Sequence, residues 1–443
     1  MIIRLTGFAV CLVCSIGCTS TRAQDAGSPL ATPATAIVAP SPAASAADTL
    51  ANRYPAAVDP YPSVTAVRLG GDERQTRVVF NLSRSVVARV FALADPYRLV
   101  IDLPQVDFQL PARAGETGHG LIKAFRFGLM MKGGSRIVLD LAGPVRVEKS
   151  SVLDAAGDQP IRLVLELAAI GREPFLHAIA LDNRVDPGRE MSRKIEREAA
   201  QPGDDSRPVI VLDPGHGGID EGAHGPTGEA EKTVVLDFAL MLRDKIERIG
   251  KYRVEMTRSD DTFVALADRV QVARARRAQL FISLHCDALA RGEGDAQGAT
   301  VYTLSDDASD AEAARLAETE NRADIIAGVD LSREPNAIAD ILIDLAQRET
   351  RAFSAHFARA AVDDLKNSVR LHKPPLKSAG FRVLKAPDVP SVLIELGFVS
   401  NRADFKQLIS DAWRSQATDS VAHAIDAYFA TRMAASPRTG RPE

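Results

Sequence analysis

From residue 207 onward, short runs of β-branched and aliphatic residues alternate with stretches of helical periodicity. That alternation constrains the fold of this 443-residue chain more than any other feature. The strand-like runs are VIVLD (209–213), YRVEMTR (252–258), LFISLHCD (280–287), ATVYTL (299–304), FRVLK (381–385) and SVLIELGF (391–398). Helical spacing fits 232–249, stopped by Gly250, then 268–278, roughly 309–327, roughly 336–370 and 402–431. Strands interleaved with helices predict an α/β catalytic domain over 207–432, its mainly parallel sheet flanked by helices.

Open α/β sheets collect their functional groups beyond the carboxyl ends of the strands. Here VIVLD runs into DPGHGG and His216, LFISL leads to His285, and SVLI leads to Glu395. Glu231 opens the helix that follows the glycine-rich loop. Two histidines and a carboxylate meeting at one sheet edge make a zinc site with the fourth position left to water. Gly215, Gly217 and Gly218 would let the backbone turn sharply and leave room for a substrate. Asp213 is placed to accept the second ring N–H of a liganding histidine. Glu395, at the end of an apolar strand, is the candidate general base and later acid. A phosphate-binding loop is excluded, because no Lys-Ser/Thr follows the glycines and the dinucleotide spacing is absent.

The N-terminal half reads differently. Arg4 followed by FAVCLVCSIG, too short to span a bilayer, predicts a cleavable signal peptide over 1–23 and export to the periplasm. A lipoprotein signal through Cys18 would need a large aliphatic residue three positions earlier, and SIGC lacks one. Three of the four cysteines fall in this segment, so the body holds only Cys286 and no disulfide framework. Residues 24–60, rich in Ala, Pro, Ser and Thr, read as a disordered tether, as do the linker at 171–206 and the tail at 433–443. Between them, TRVVFNL (76–82), YRLVIDL (97–103), SRIVLDL (135–141) and IRLVLEL (161–167) share one template: Arg, aliphatics, an acid or amide, then Leu. They predict a small all-β sandwich over 61–170, with the Arg and acidic residues facing solvent. A net charge of −4 offers no electrostatic footprint for nucleic acid. Past the signal, nothing is long and apolar enough for an integral membrane protein.

The stretches VLDPGHGG (211–218), GEAEK (228–232), TRSDDTFVALADRVQVARARRAQLFISLHCDA (257–288) and VPSVLIELGFVSN (389–401) resemble the zinc-dependent N-acetylmuramoyl-L-alanine amidases that split septal peptidoglycan. The segment at 61–170 is similar to the AMIN domain that precedes many of them and holds them on peptidoglycan. The resemblance implies one Zn²⁺ held by His216, Glu231 and His285, with Glu395 catalytic. It favours Glu231 over Glu229 as ligand, because the ligand directly precedes Lys232. His224 reads as a solvent-facing loop residue, and Cys286 as a buried thiol pointing away from the metal. The resemblance also implies a regulatory insertion at about 305–370, begun by a Ser309/Glu312 capping box. From it Glu320, or failing that Glu318, would occupy the fourth zinc position until a LytM-type activator moves it. Competing expectations are a catalytically dead peptidoglycan-binding division scaffold and a zinc peptidase acting within the stem peptide.

Overall fold

The computed structural model describes residues 61–111, 113–131, 133–181, 205–288, 297–329 and 341–435. The expected signal peptide, Cys18, the tether at 24–60 and most of the C-terminal tail lie outside those residues.

The first part is the expected β-sandwich. One sheet carries β1 (Ser63–Gly71), β2 (Gln75–Leu82), β5 (Asp107–Phe108), β8 (Val145–Leu153) and β9 (Ile161–Ala169), in the order β5-β1-β2-β9-β8. The other carries β3 (Arg89–Leu93), β4 (Arg98–Pro104), β6 (Ile122–Met131) and β7 (Gly134–Leu141), in the order β3-β4-β7-β6. Side chains alternate across each strand, so the Leu and Ile positions of the four repeats face inward. Val78, Phe80, Leu99, Ile101, Ile137, Leu139, Leu163 and Leu165 form the core between the sheets.

The outward-facing positions of the repeats meet in crossed pairs. In one sheet Arg98 lies opposite Asp140, Val100 opposite Val138 and Asp102 opposite Arg136. In the other, Arg77 lies opposite Glu166, Val79 opposite Val164 and Asn81 opposite Arg162. Arg98 and Arg136 are buried, contrary to the solvent-facing reading of the template. Their outer face is covered by a segment of the catalytic domain, so outward does not mean exposed. A second departure is α1 (Arg172–Leu181), which occupies part of the expected linker. It docks on the sandwich through Phe175, whose ring meets Tyr97 edge-on.

The catalytic domain is a six-stranded sheet ordered β11-β10-β12-β15-β13-β14. Its strands are β10 (Val209–Pro214), β11 (Arg253–Met256), β12 (Leu280–His285), β13 (Ala299–Leu304), β14 (Leu371–Ala379) and β15 (Ser391–Glu395). All neighbours run parallel except β13 and β15. One face is covered by α2 (Glu231–Ile249), α6 (Ile341–Leu365), α7 (Arg402–Leu408) and α8 (Asp411–Ala435). The other carries α3 (Leu266–Ala275), α4 (Ala311–Glu320) and the single turn α5 (Ala323–Ile326).

Two local expectations give way. FRVLK is not a strand; Arg382–Leu384 form a 3-10 turn. The sheet takes LHKPPLKSA instead as β14, on its edge, with the two prolines inside the irregularity where its register against β13 slips. The N-cap of α4 is Asp310, whose carboxylate accepts the Ala313 N–H at 2.8 Å, not Ser309. Ser309 Oγ instead accepts from the Ser378 N–H.

Candidate metal centre

β10, β12 and β15 lie side by side, so their carboxyl ends bring distant parts of the sequence together. His285 and Glu395 end adjacent parallel strands in direct register. Past the end of β10 the chain turns through His216 with φ 57°, in the left-handed region that costs a non-glycine residue about 1–2 kcal/mol. The turn is held from several sides. Arg258 donates to the carbonyls of Pro214, Gly215 and Lys232, and Arg269 to those of Pro214 and His216. Lys232 Nζ reaches the Gly218 carbonyl at 2.8 Å.

Gly215 is needed for a reason the sequence did not suggest. A Cβ there would sit 2.3 Å from the His285 ring, so the space it leaves is filled by a histidine rather than by substrate.

His216, Glu231 and His285 form a buried cluster whose ligand atoms all lie within 4.8 Å of one another. His216 Nε2 is 3.3 Å from Glu231 Oε2, and His285 Nδ1 is 3.4 Å from Glu231 Oε1. Both ring nitrogens are buried without a hydrogen-bond partner among the described residues. Ligands of one tetrahedral zinc, each roughly 2.0–2.2 Å from the ion, stand roughly 3.3–3.5 Å apart. The donor set, the spacing and the two orphaned nitrogens therefore fit a zinc ion.

Glu231 is fixed for this position by backbone donors: the Cys286 N–H meets Oε1 at 2.8 Å and the Ala223 N–H meets Oε2 at 3.0 Å. Burial opposes its charge, but His216 and His285 outweigh it and hold the carboxyl well below its usual range. For His216 burial again works against the charge, and Glu231, Asp220 and Glu320 together push the ring well above the ordinary imidazole value. Glu229, its sequence competitor, stays on the loop with Thr227. His224 is half-exposed beside Glu221. Cys286 packs into the apolar cluster under the sheet.

Asp213 does not touch a histidine. Its carboxylate accepts from Arg269, Thr257 and Ser283 at 2.6–2.7 Å. It still lies inside β10, directly opposite Ser283, where the strand aims it across the sheet. The ring partner is Asp220, whose Oδ2 is 3.0 Å from His216 Nδ1. Sequence reasoning missed Asp220 because it returns to the ring only through the tight Gly217–Asp220 pairing. Arg258 and Arg269 lie in the 257–288 stretch, where nothing in the sequence marks them as anchors of a loop more than 40 residues earlier.

Glu395 is fully buried, with Oε2 accepting the Asp287 N–H at 3.1 Å and Oε1 without a partner among the described residues. Burial, followed by the charges of Glu231, Asp287 and Glu320, raises its carboxyl well above the usual range. A dication beside it would pull that value back down.

The last side chain comes from α4. Glu320 Oε2 is 3.0 Å from His285 Nδ1 and 3.6 Å from His216 Nε2. Glu318 points away and pairs with Arg322 on the surface. The helix that delivers Glu320 is anchored by Asn321, which bonds Gly380 and Arg382, and by Asp324, which accepts the Leu266 N–H.

Residues 210–427 match the family model of N-acetylmuramoyl-L-alanine amidase, and residues 66–167 match that of the AMIN domain. N-acetylmuramoyl-L-alanine amidase AmiC of Escherichia coli is 35% identical over 379 residues, covering 83% of this chain and 89% of that protein. AmiC of Neisseria meningitidis is 33% identical over 390 residues, covering 84% and 91%. AmiA of Escherichia coli is 36% identical over 264 residues, covering 59% and 89%.

Proposed function

This chain belongs to the N-acetylmuramoyl-L-alanine amidase family, and on that premise we propose that it works as a zinc-dependent, self-inhibited amidase. It hydrolyses the amide between N-acetylmuramic acid and the L-alanine of the peptidoglycan stem, in septal wall splitting. The observation that carries the finer reading is the pair of orphaned nitrogens, His216 Nε2 and His285 Nδ1, facing the Glu231 carboxylate.

His216, Glu231 and His285 would hold the ion, which supplies Lewis acidity to the reacting water and the amide carbonyl. Asp220 keeps the His216 proton on Nδ1 and so leaves Nε2 free to ligate. Arg258 and Arg269 hold the strained loop in place. Glu395, with one oxygen anchored and the other unpartnered, accepts the proton of the attacking water. It then delivers that proton to the departing L-alanine amine. Glu320 occupies the space through which water and amide must approach, and its withdrawal would open the site. A LytM-type protein fits the role of activator. The AMIN domain would hold the enzyme on peptidoglycan, with residues 1–23 directing export to the periplasm.

Digestion of purified sacculi by the full chain, with products identified by mass spectrometry, tests the reading. Stem peptides with a free L-alanine amine, absent after chelation and more abundant for Glu320→Ala, are expected. Cleavage inside the stem peptide would point to a peptidase instead.

A further inference from the structure

The outer face of β4 and β7 is not spare surface. Against it lies the turn at 325–329, which follows Glu320 by five residues. Arg98 Nη1 donates to the Ile325 carbonyl at 3.0 Å, and Arg126 Nε to that of Ile326 at 2.7 Å. Arg136 Nη1 donates to those of Ala327 and Gly328 at 3.1 and 3.2 Å. Four consecutive backbone carbonyls are thus held by three guanidinium groups. Two of those groups are themselves locked by two-pronged pairs, Arg126 on Asp140 and Arg136 on Asp102. Between the arginines, Ala327 packs in a small apolar cluster with Leu93, Val100, Val138, Ile219 and Phe263.

Gly328 completes the fit. It has φ +67°, and a Cβ there would stand 3.0 Å from both Val100 and Val138. The same sandwich also touches the metal loop, because the Ile219 N–H donates to the Leu129 carbonyl of β6.

We propose that the β4–β7 face of the AMIN domain is a docking site for the 325–329 turn, and that it locks α4 in the position that keeps Glu320 on the histidine cluster. The idea rests on the reading of Glu320 as an inhibitor and adds where the inhibitor is held. Separating the face from the turn breaks these four hydrogen bonds, leaves Arg126 and Arg136 with their carboxylates alone, and frees the helix. Movement of the AMIN domain and opening of the site are therefore one event, and a ligand that pries this face away is an activator.

The test uses the full chain loaded with zinc, comparing Arg136→Gln, Gly328→Phe and Glu320→Ala with the parent. Two readouts apply: release of soluble fragments from sacculi, and hydrogen exchange of amides 311–329. Gly328→Phe wedges the turn off the sheet while leaving every arginine in place, so it decides if Arg136→Gln fails to fold. Unchanged protection of β4 and β7 amides verifies folding. One hydrogen bond to a charged group shifts an equilibrium by roughly tenfold. Both lock variants should therefore exchange faster at 311–329 and release fragments roughly tenfold faster than the parent. Activation by Glu320→Ala alone, with 311–329 still protected in a folded Gly328→Phe, overturns the lock and leaves the inhibitor reading standing. A silent Glu320→Ala overturns both.

Discussion

Asp220 Oδ2 lies 3.0 Å from His216 Nδ1, and that contact decides which ring nitrogen faces the carboxylate of Glu231. Removing it leaves the ring free to rotate and to exchange tautomers. Partners of this kind typically contribute 10–100-fold to metal affinity. Asp220→Ala should therefore weaken zinc binding by about that factor, measured by competition with a chromogenic chelator. Parental affinity in a folded variant would show that the loop arginines alone orient the ring.

Glu395→Gln keeps the size of the side chain and removes its ability to take a proton. Turnover on sacculi should fall by about 10²–10⁴-fold while zinc content stays at the parental level. An active Gln variant would mean that Glu395 is not the proton carrier.

Gly215→Ala is the smallest change that should dislodge His285, since the added methyl meets the imidazole at 2.3 Å. A displacement of about 1 Å at a catalytic group can cost about 10²-fold in rate. We expect that loss with little change in Tm. Parental activity would mean that β12 shifts to accommodate the methyl.

The Asp213–Arg269 pair gives a pH signature. Burial opposes the Asp213 charge, but Arg269 and the Ser283 and Thr257 hydroxyls outweigh it and hold the carboxyl below its usual value. A depressed carboxyl stabilises the fold in full above the unfolded value of about 3.9 and loses that contribution as pH falls through the folded value. Asp213→Asn should cost about 3–5 kcal/mol near neutral pH. The deficit should shrink in acid, as measured by urea unfolding at several pH values. A deficit independent of pH would assign the loss to packing.

Three of the four residues gathered at the candidate site were legible because His216, His285 and Glu395 end or closely follow strands, and parallel strands deliver their carboxyl ends to one edge whatever the sequence between them. Glu231 opens a helix, and only the family resemblance singled it out from Glu229. What was not legible depends on contacts made after the chain turns back. Asp213 and Asp220 stand on either side of His216, and only the reversal at Gly217 brings the later one to the ring. β14 was hidden by its prolines, which argue against a strand unless its place on the sheet edge is known. The 3-10 turn at Arg382–Leu384 carries a strand-like composition because it, too, is buried. Two arginines of the repeats, Arg98 and Arg136, looked like solvated surface because they donate to backbone carbonyls more than 190 residues away, which leave no mark in side-chain pattern.

The crossed pairs of β4 and β7 recur on β2 and β9, where Arg77 and Glu166 remain about half-exposed at 54% and 43%. Among the described residues only the first copy holds a turn of the catalytic domain, so the two sheets carry one template at two different levels of burial. Anything that attached to the second copy while the first holds its turn would be tied to the catalytic domain through the same sandwich. Its effective concentration there would be set by geometry instead of diffusion.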